Sequence, residues 1–410
     1  MGSFNLRKRH WFTILRYFSV RFLDLIHLKN LIRGRIERNN PVFKEEVDIF
    51  EGNKSIIVFP NIPWDYRWQR PQQIFSRLGK KNFNIFYLSP ITSSSEYIVE
   101  RQKGVYELHI KSERRVNILR DLNINNELKK EILESIKELI GKYVNNATCF
   151  VLHPIWFPVV KDKKNWKLVY DMMDLYSGFT DAKVELIRAE EELLKKSDLV
   201  LTSAENLNQF AKKFNKNVAM VRNGCDLDRF TKIKKNGELD SIKGKPIVGY
   251  FGAINDWFDV EAVEYAVEEN TEKNFVFLGN IDTKKVEKLF KYKNVYFLGE
   301  VKHEELGGYL AYFDVCIIPF VINELIKSTN PVKFYEYMAT GKPVVSSKLP
   351  ELEKYSDICY LYDGKEDFSK CIYKALYDKE VGTVEKRIKV ARENSWDERV
   401  KVLKEAISNI

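Results

Sequence analysis

Short runs of consecutive apolar residues recur along most of this chain, and each ends at a proline, a glycine or a polar residue. Six runs precede residue 225, at 55–60, 84–90, 148–154, 167–172, 198–203 and 217–224. Six more follow residue 245, at 246–252, 274–280, 294–300, 315–320, 343–347 and 359–363. Continuous apolar runs are typical of parallel strands that are buried on both faces. Because helix-like stretches separate them, the pattern predicts an α/β protein with two doubly wound, Rossmann-like sheets.

The polar segment 226–245 has no apolar period and predicts a linker between the two series of strands. A length of 410 residues suits two domains. We therefore expect four parts in chain order: a basic N-terminal segment 1–50, an N-terminal acceptor-side domain 51–240, a C-terminal donor-binding domain 241–385, and a helix 386–410 that packs back on the N-terminal domain. In open α/β folds, ligands bind at the carboxyl ends of the strands.

Residues 6–38 combine apolar side chains with a large excess of Arg and Lys. The apolar residues recur at steps of three and four, which predicts an amphipathic helix; they are Trp11, Ile14, Leu15, Phe18, Phe22, Leu25 and Ile26. Aromatic residues beside a basic face are typical of helices on anionic membranes. Packing on the protein's own body or on a partner chain is the alternative.

The sequence contains no run long enough to span a bilayer and no signal-peptide pattern. We therefore expect a cytoplasmic protein that lies peripherally on the inner face of the cell membrane. The net charge of +9 favours an acidic partner. Nucleic acid is not expected, because the basic residues concentrate in 7–38 without a known binding module. The five scattered cysteines indicate no zinc site, and we expect neither a cofactor nor a metal.

The segment 326–347 carries the most information about chemistry. Asn330 suits an N-cap, Pro331 the first helical position and Gly341 the position after the last turn. These residues predict a short helix over 331–340. The free N–H groups and the dipole at its N-terminus can hold a diphosphate.

Charged side chains in and before this helix could add to such a site. Lys327 and Lys333 could lie near phosphate. The carboxylate of Glu336 could accept hydrogen bonds from the two hydroxyls of a ribose. An ordinary capped helix with a surface glutamate is the alternative interpretation.

The segment PVKFYEYMATGKPVV (331–345) resembles the donor-binding motif of retaining GT-B-fold glycosyltransferases of the large bacterial family 4 type, which build cell-surface polysaccharides. The second Glu of that family's E-x7-E motif falls on Glu336 and typically binds the donor ribose. The first Glu usually contacts the donor hexose, but this chain has Ser328 there. The cluster of Ser328, Thr329 and Asn330 is expected to replace it.

The resemblance covers about 55–408. Residues 221–230 resemble the family's hinge, 248–259 the first strand and loop of its donor domain, and 297–301 the loop that borders the nucleotide base. The basic residues that often follow the donor-domain loop are absent, so Lys327 or Arg222 is expected to substitute for them. The resemblance thus implies a set of donor-binding residues: Glu336, Ser328, Thr329, Asn330, Pro331, Val332, Lys333, Lys327, Gly252, Arg222 and Gly299.

The segment NIPWDYRWQRPQQ (61–73) follows the first strand and resembles a signature of a subset of these enzymes. Aromatic faces stack on sugar rings, and polar groups hydrogen-bond to sugar hydroxyls. The acceptor is therefore expected on Trp64, Asp65, Tyr66, Arg67, Trp68 and Arg70. A capping loop whose tryptophans fill the core is the alternative.

Three further polar residues follow two other strands of the N-terminal half. In many relatives a His or Asp near these positions lies beside the reacting carbon. Asp174 is the first catalytic candidate, Asp171 the second and His153 the third. For His153, satisfying backbone groups near the strand end is an equally open alternative.

The resemblance implies a metal-independent glycosyltransferase. It would move a hexose-type sugar from a nucleotide-diphosphate sugar, UDP-linked by family frequency, to a hydroxyl of a glycan or lipid-linked acceptor, with retention. A catalytically silent GT-B-fold scaffold in a polysaccharide assembly complex and a nucleotide-sugar epimerase are the alternatives. A dehydrogenase is disfavoured, because no G-x-G-x-x-G turn is present.

Overall fold

A computed structural model describes residues 2–25, 49–145, 147–179, 182–377 and 381–410. Their contacts divide into two compact units. The N-terminal unit consists of the described residues of 43–223, 328–330 and 396–410. The C-terminal unit consists of those of 1–42, 224–327 and 331–395. Each unit has its own hydrophobic core, and each contains a sheet whose strands alternate with helices along the chain, which confirms the predicted α/β class.

An eight-stranded sheet forms the centre of the N-terminal unit. Its strands are β1 (Lys54–Phe59), β2 (Phe83–Leu88), β3 (Tyr97–Gln102), β4 (Val105–His109), β5 (Thr148–Val151), β6 (Lys167–Met172), β7 (Leu199–Thr202) and β8 (Val218–Met220). They lie in the order β3-β4-β2-β1-β5-β6-β7-β8, and only β3 runs antiparallel to its neighbour in this described sheet. Strands β3 and β4 were not predicted, because neither the half-exposed YIVERQ of β3 nor the buried VYELH of β4, which Glu107 interrupts, is a continuous apolar run.

A six-stranded, parallel sheet forms the centre of the C-terminal unit. Its strands are β9 (Ile247–Phe251), β10 (Asn274–Leu278), β11 (Val295–Phe297), β12 (Val315–Ile318), β13 (Val344–Ser347) and β14 (Tyr360–Tyr362). They lie in the order β11-β10-β9-β12-β13-β14. All six coincide with predicted strands, because both faces of this sheet are covered and its strands are continuous apolar runs.

The described helices surround these sheets. In chain order they are α1 (Gly2–Leu25), α2 (Arg70–Gly79), α3 (Ile118–Asp121), α4 (Asn126–Ile140), α5 (Phe157–Val160), α6 (Val184–Lys196), α7 (Glu205–Ala211), α8 (Leu227–Thr231), α9 (Val260–Glu269), α10 (Leu306–Leu310), α11 (Glu324–Lys327), α12 (Val332–Ala339), α13 (Pro350–Glu353), α14 (Lys365–Tyr377), α15 (Val384–Glu393) and α16 (Trp396–Ser408). Short 3-10 turns occur at Gly141–Tyr143, Pro154–Trp156, Tyr176–Gly178 and Lys284–Leu289.

The chain passes from the N-terminal to the C-terminal unit after Asn223 and returns after Ser395, and residues 328–330 in between group with the N-terminal unit. Helix α16 packs on α2 of the N-terminal unit, where Arg77 and Asp397 form an ion pair at 3.2 Å. The segment expected to be a linker instead packs within the C-terminal unit, because Phe230 of α8 and Leu239 are fully buried in its core. The sequence did not predict this packing, because two buried apolar residues at irregular spacing produce no apolar period.

Helix α1 lies along β11, the edge strand of the C-terminal sheet. Its buried face consists of Leu6, His10, Ile14 and Tyr17. Nδ1 of His10 accepts the N–H of Phe297 at 2.9 Å, which satisfies a donor on the strand edge. The alternative of packing on the protein's own body therefore holds for this face.

The predicted apolar stripe does not coincide with that buried face. Ile14 is buried, whereas Trp11, Leu15 and Phe18 are exposed. The side chains of Phe22 and Leu25, and all of Ile26 and the rest of the predicted helix, lie outside what the structure describes. Among the described helices, none is both long and apolar enough to cross a membrane.

Candidate active site

The N-terminus of α12 is formed differently from the sequence prediction. Pro331 occupies the N-cap position, and its side chain gives the helix no capping hydrogen bond. The predicted N-cap Asn330 instead accepts the backbone N–H of Asn223 through Oδ1 at 3.0 Å, so that prediction is wrong. Gly341 has the left-handed φ of +71° expected after a helix. The uncapped first turn leaves N–H groups available to a ligand.

Lys333 lies in the first turn of α12. Its Nζ is 5.2 Å from the ring centroid of Tyr250 and 4.8 Å from that of Phe320. No described carboxylate forms an ion pair with it. Burial lowers the pKa of Lys333 to about 8, against a smaller raising effect of Glu336. The side chain is therefore cationic at neutral pH and lacks a close counter-charge.

Three glycines follow three neighbouring strands at the carboxyl edge of the C-terminal sheet. Gly252, Gly279 and Gly299 follow β9, β10 and β11 and have φ of +133°, +151° and +73°. The N–H of Gly279 donates to the carbonyl of Gly299 at 2.8 Å. A Cβ on Gly279 would lie 1.9 Å from the carbonyl oxygen of Gly252, so the two loops touch through backbone. Sequence reasoning singled out Gly252 and Gly299 but missed Gly279.

Gly252 also lies against Lys333. A Cβ at Gly252 would be 3.0 Å from Cε of Lys333 and 3.1 Å from its Nζ. Lys333 therefore brings its ammonium group, at the first turn of α12, into contact with the loop after β9. Val332, in the same turn, is half-buried. Close backbone approach of this kind suits a phosphate, which N–H groups and a cation can surround.

Glu336 lies one turn after Lys333 and is buried. Its Oε1 accepts a hydrogen bond from Nε2 of His303 at 3.1 Å. His303 follows β11 and packs edge-on against Phe230 at 5.7 Å. Sequence reasoning missed His303, because a single histidine in a polar stretch carries no signal of its distant partner.

The remaining cations proposed for the donor already have carboxylate partners. Lys327, the last residue of α11, pairs with Glu324 at 2.8 Å. Arg222 pairs with Glu205 at 3.6 Å within the N-terminal unit. Ser328, Thr329 and Asn330 group with the N-terminal unit, whereas Pro331, Val332 and Lys333 belong to the C-terminal unit. Gly252, Lys333 and Glu336 are thus the predicted donor residues that the C-terminal unit brings together most closely.

Arg70 and Asp171 form a buried, bidentate ion pair in the N-terminal unit. Nε and Nη2 of Arg70 donate to the two carboxylate oxygens of Asp171 at 2.9 and 2.8 Å. Nη1 of Arg70 also donates to the carbonyl of Val221 at 2.8 Å. These contacts use the groups that the sequence interpretation offered to the acceptor and to catalysis, and they tie β6 to the segment after β8.

The aromatic loop after β1 divides into buried and exposed parts. Trp64 is buried and packs edge-on against Tyr87 with ring centroids 5.1 Å apart. The core-filling alternative therefore holds for Trp64. Trp68 is half-buried beside Trp64, and its ring centroid is 6.0 Å from that of Trp64.

The polar residues of this loop lie nearer the solvent. Tyr66 is exposed, and the guanidinium of Arg67 lies 4.8 Å from its ring centroid. Asp65 forms an ion pair with Arg101 of β3 at 3.1 Å. Tyr66, Arg67 and Asp65 retain the aromatic and polar surface that a sugar needs.

Titratable groups cluster after β6. Burial raises the pKa of Asp174 to about 6. Burial also raises the pKa of Glu190 to about 7, against the hydroxyl of Tyr170, which donates to Oε1 of Glu190 at 2.7 Å. The ring of Tyr176 packs edge-on against that of His153, with the two ring centroids 4.9 Å apart. Sequence reasoning missed Glu190, which stands in the charged run EEELL of α6.

His153 does satisfy a backbone group, as its alternative interpretation holds. Its Nδ1 accepts the N–H of Ile155 at 3.1 Å and caps the 3-10 turn at Pro154–Trp156. Burial lowers the pKa of His153 to about 4, so the ring is neutral at pH 7 and its proton is on Nε2. Nε2–H can still donate to a ligand.

Within the part of the chain that the structure describes, no group of His, Cys, Asp or Glu side chains is arranged to hold a metal ion. In the C-terminal unit, one ammonium group, helix and loop N–H groups and a buried carboxylate lie at the first turns of α12. Such a set can bind a nucleoside diphosphate and stabilise the charge that develops when a bond to it breaks.

The C-terminal part of the chain is similar in sequence to known glycosyltransferases. Residues 245–378 match the family model described as glycosyl transferases group 1. The chain is similar to the putative teichuronic acid biosynthesis glycosyltransferase TuaH of Bacillus subtilis strain 168. The two are 23% identical over 288 residues, which cover 64% of this chain and 72% of TuaH.

Solved structures share the fold at low identity. Sucrose-phosphate synthase from Thermosynechococcus elongatus has a TM-score of 0.69 at 14% identity, over 87% of this chain and 99% of that chain. HepE of Anabaena in complex with UDP and glucose has a TM-score of 0.64 at 11% identity, over 87% of this chain and 100% of that chain. The likeness confirms the predicted fold of two Rossmann-like domains.

Proposed function

We propose that this chain is a GT-B-fold glycosyltransferase that transfers a sugar from a nucleotide sugar, and that its donor is a UDP-linked hexose bound by the C-terminal unit. The observation that carries the proposal is that Lys333 and Glu336 lie on consecutive turns of α12, and that Lys333 lies against the glycine loop after β9. A cation and a carboxylate at this spacing match the diphosphate and the ribose of a nucleotide.

Each part of the donor has a matching group. The diphosphate binds the first turn of α12, with Lys333 as its counter-charge and Gly252 allowing close approach. The ribose hydroxyls donate to Glu336. The loop at Gly299 borders the base. UDP is favoured because HepE, a protein of the same fold, was solved with UDP and glucose.

The acceptor is a hydroxyl of a glycan or a lipid-linked carrier, held against Tyr66, Arg67 and Trp68. Its oxygen attacks the anomeric carbon on the face that the nucleotide leaves, so that the configuration is retained. The bond from the anomeric carbon to the diphosphate breaks, the bond to the acceptor oxygen forms, and the acceptor proton passes to the leaving phosphate. Helix N–H groups and Lys333 stabilise the charge on that leaving group without a metal.

Asp174 and His153 are the catalytic candidates of the N-terminal unit. A carboxyl group with a pKa of about 6 is a mixture of its two forms near neutral pH. In its ionised form Asp174 can accept a hydrogen bond from the attacking hydroxyl, and Nε2–H of His153 can donate to a sugar oxygen. We assign Arg70 and Asp171 to holding the fold rather than to contacting substrate.

Calorimetric titration with UDP, GDP and ADP tests the donor site. We expect one nucleotide to bind wild type and to bind Glu336→Ala at least about tenfold more weakly, since hydrogen bonds to charged groups contribute about 1.5–3 kcal/mol. Glu366→Ala, which removes an exposed carboxylate of α14 in the same unit, is the control. Equal affinity in Glu336→Ala would refute the ribose contact. No binding to folded wild type would favour a silent scaffold.

We further propose that α1 places the enzyme on an anionic membrane surface. On the side away from β11, four large apolar side chains are exposed: Trp11 by 53%, Phe12 by 67%, Leu15 by 62% and Phe18 by 46%. Lys8 and Arg16 are also exposed on this helix. Apolar side chains that insert at the headgroup boundary, next to basic groups that attract anionic lipid, are typical of interfacial helices.

Flotation with phosphatidylglycerol vesicles tests this proposal. The variant Trp11→Ser, Phe12→Ser, Leu15→Ser keeps the face that packs on β11 and should lose most of the flotation. The control Tyr373→Ser, Tyr377→Ser removes two exposed aromatic rings of α14 and should float like wild type. Equal flotation of the α1 variant and wild type would refute membrane docking through this face.

A further inference from the structure

We propose that His303 is a positioning residue for the nucleotide donor: it fixes one oxygen of Glu336 so that the other meets the ribose hydroxyls. This inference rests on the proposed function, which places the ribose on Glu336. It adds a residue that neither the sequence pattern nor the comparisons assign.

The first support is the hydrogen bond between the two side chains. Nε2 of His303 lies 3.1 Å from Oε1 of Glu336, and both side chains are largely removed from solvent. An ionised carboxylate only accepts, so Nε2 carries the hydrogen and donates it. Among the described residues, His303 is the single side chain that hydrogen-bonds to Glu336. One carboxylate oxygen is therefore held in place while the other has no such partner.

The second support is that His303 is itself held in a defined orientation. It packs edge-on against Phe230 of α8, which is fully buried in the C-terminal core. Its Nδ1 is buried and has no hydrogen-bond partner among the described residues. A buried nitrogen without a partner is costly, and the bond to Glu336 is the polar contact that the ring keeps. Packing against the core therefore holds the imidazole ring in place, and the ring in turn holds the carboxylate of Glu336.

The consequence concerns recognition of the ribose hydroxyls. Glu336 has rotatable side-chain bonds, and only one orientation presents its second oxygen to a vicinal diol. Holding that orientation before the ligand arrives removes part of the ordering cost of binding. Loss of His303 should therefore weaken the binding of nucleotides that carry a 2′-hydroxyl more than the binding of nucleotides that lack it.

Calorimetry with UDP and 2′-deoxy-UDP measures this discrimination directly. We expect wild type to bind UDP about tenfold more tightly than 2′-deoxy-UDP, the value of one good hydrogen bond to a charged group. His303→Ala should bind UDP about tenfold more weakly and reduce the discrimination towards onefold. His303→Gln, which keeps an N–H donor at a similar reach, should restore most of the discrimination.

The double variant His303→Ala, Glu336→Ala distinguishes positioning from an independent contact. If His303 acts through Glu336, the double variant should bind UDP no more weakly than Glu336→Ala alone. The control is His109→Ala, because His109 lies beside a carboxylate, Glu107, at 3.5 Å in the other unit. It should leave both affinities unchanged.

Each result separates this inference from the function on which it rests. If Glu336→Ala loses discrimination but His303→Ala keeps it in a protein with wild-type urea unfolding, the positioning role is overturned and the ribose contact stands. If His303→Ala weakened the binding of both nucleotides equally, the positioning role would also be overturned, since such a result would indicate a general structural effect. If Glu336→Ala binds both nucleotides like wild type, the donor assignment and this inference both fail.

Discussion

Replacing Lys333 with methionine should stabilise the protein and weaken donor binding at the same time. Burial lowers the pKa of Lys333 from 10.5 to about 8. Since one pKa unit corresponds to about 1.36 kcal/mol, the buried charge costs the folded state up to about 3 kcal/mol, and partial solvent exposure reduces this to about 2 kcal/mol. Methionine has a similar length and no charge, so Lys333→Met removes the penalty.

The pH dependence of this effect has a definite sign. Between pH 8 and 10.5 the unfolded chain binds a proton at Lys333 that the folded chain has lost, so the stability of wild type rises with pH in this window. The advantage of Lys333→Met should be complete below about pH 8 and should disappear towards pH 10.5. Urea unfolding at pH 7, 8.5 and 10 measures the difference.

The binding measurement should change in the opposite direction. Lys333→Met removes a charge-assisted contact to the diphosphate that contributes about 1.5–3 kcal/mol, so the affinity for UDP should fall roughly 10- to 100-fold. Lys365→Met is the matched control, because Lys365 lies over the ring of Tyr265 at 5.4 Å but on the exposed surface of the same unit. A Lys333→Met protein that binds UDP as wild type does, or that is less stable at pH 7, would refute the reasoning.

Two further predictions concern the N-terminal unit. Arg70→Met should destabilise the protein by about 3–5 kcal/mol, because it leaves the buried Asp171 carboxylate without its cation, and Arg70→Met, Asp171→Leu should recover part of the loss. Urea unfolding checks both, and a single-variant loss under about 1 kcal/mol would contradict the assignment. Burial raises the pKa of Asp174 to about 6 and of Glu190 to about 7, so the folded chain holds protons that the unfolded chain releases, and wild-type stability should fall as pH rises from about 4 to 7. Glu190→Gln should flatten that decline when unfolding midpoints are compared at pH 5 and pH 8; parallel curves for variant and wild type would show that Glu190 does not hold the proton.

Most strands that are buried on both faces followed from the sequence, whereas the buried β4 did not, because Glu107 interrupts its apolar run. The run PIVGYFG, for example, predicts β9 without any knowledge of its neighbours, because a strand covered on each side must be apolar at every position. Gly341 likewise marks the end of α12 through its own left-handed φ. The half-exposed β3 escaped prediction, since its polar residues Glu100, Arg101 and Gln102 reflect an edge position that only pairing with β4 creates.

The partners of the polar side chains were decided by tertiary structure. Asn330 has the composition of an N-cap, yet it binds the backbone of Asn223, 107 positions away. Arg70 and Asp171 resemble site residues but hold each other across 101 positions. A local pattern records how apolar a position must be, because burial depends on one residue and its element. A hydrogen bond between distant residues depends on which two surfaces meet in the folded chain, and a local sequence pattern contains no information about that contact. The sequence therefore determined the elements and the class of chemistry, and the packing of the chain decided which charged groups remain for the substrate.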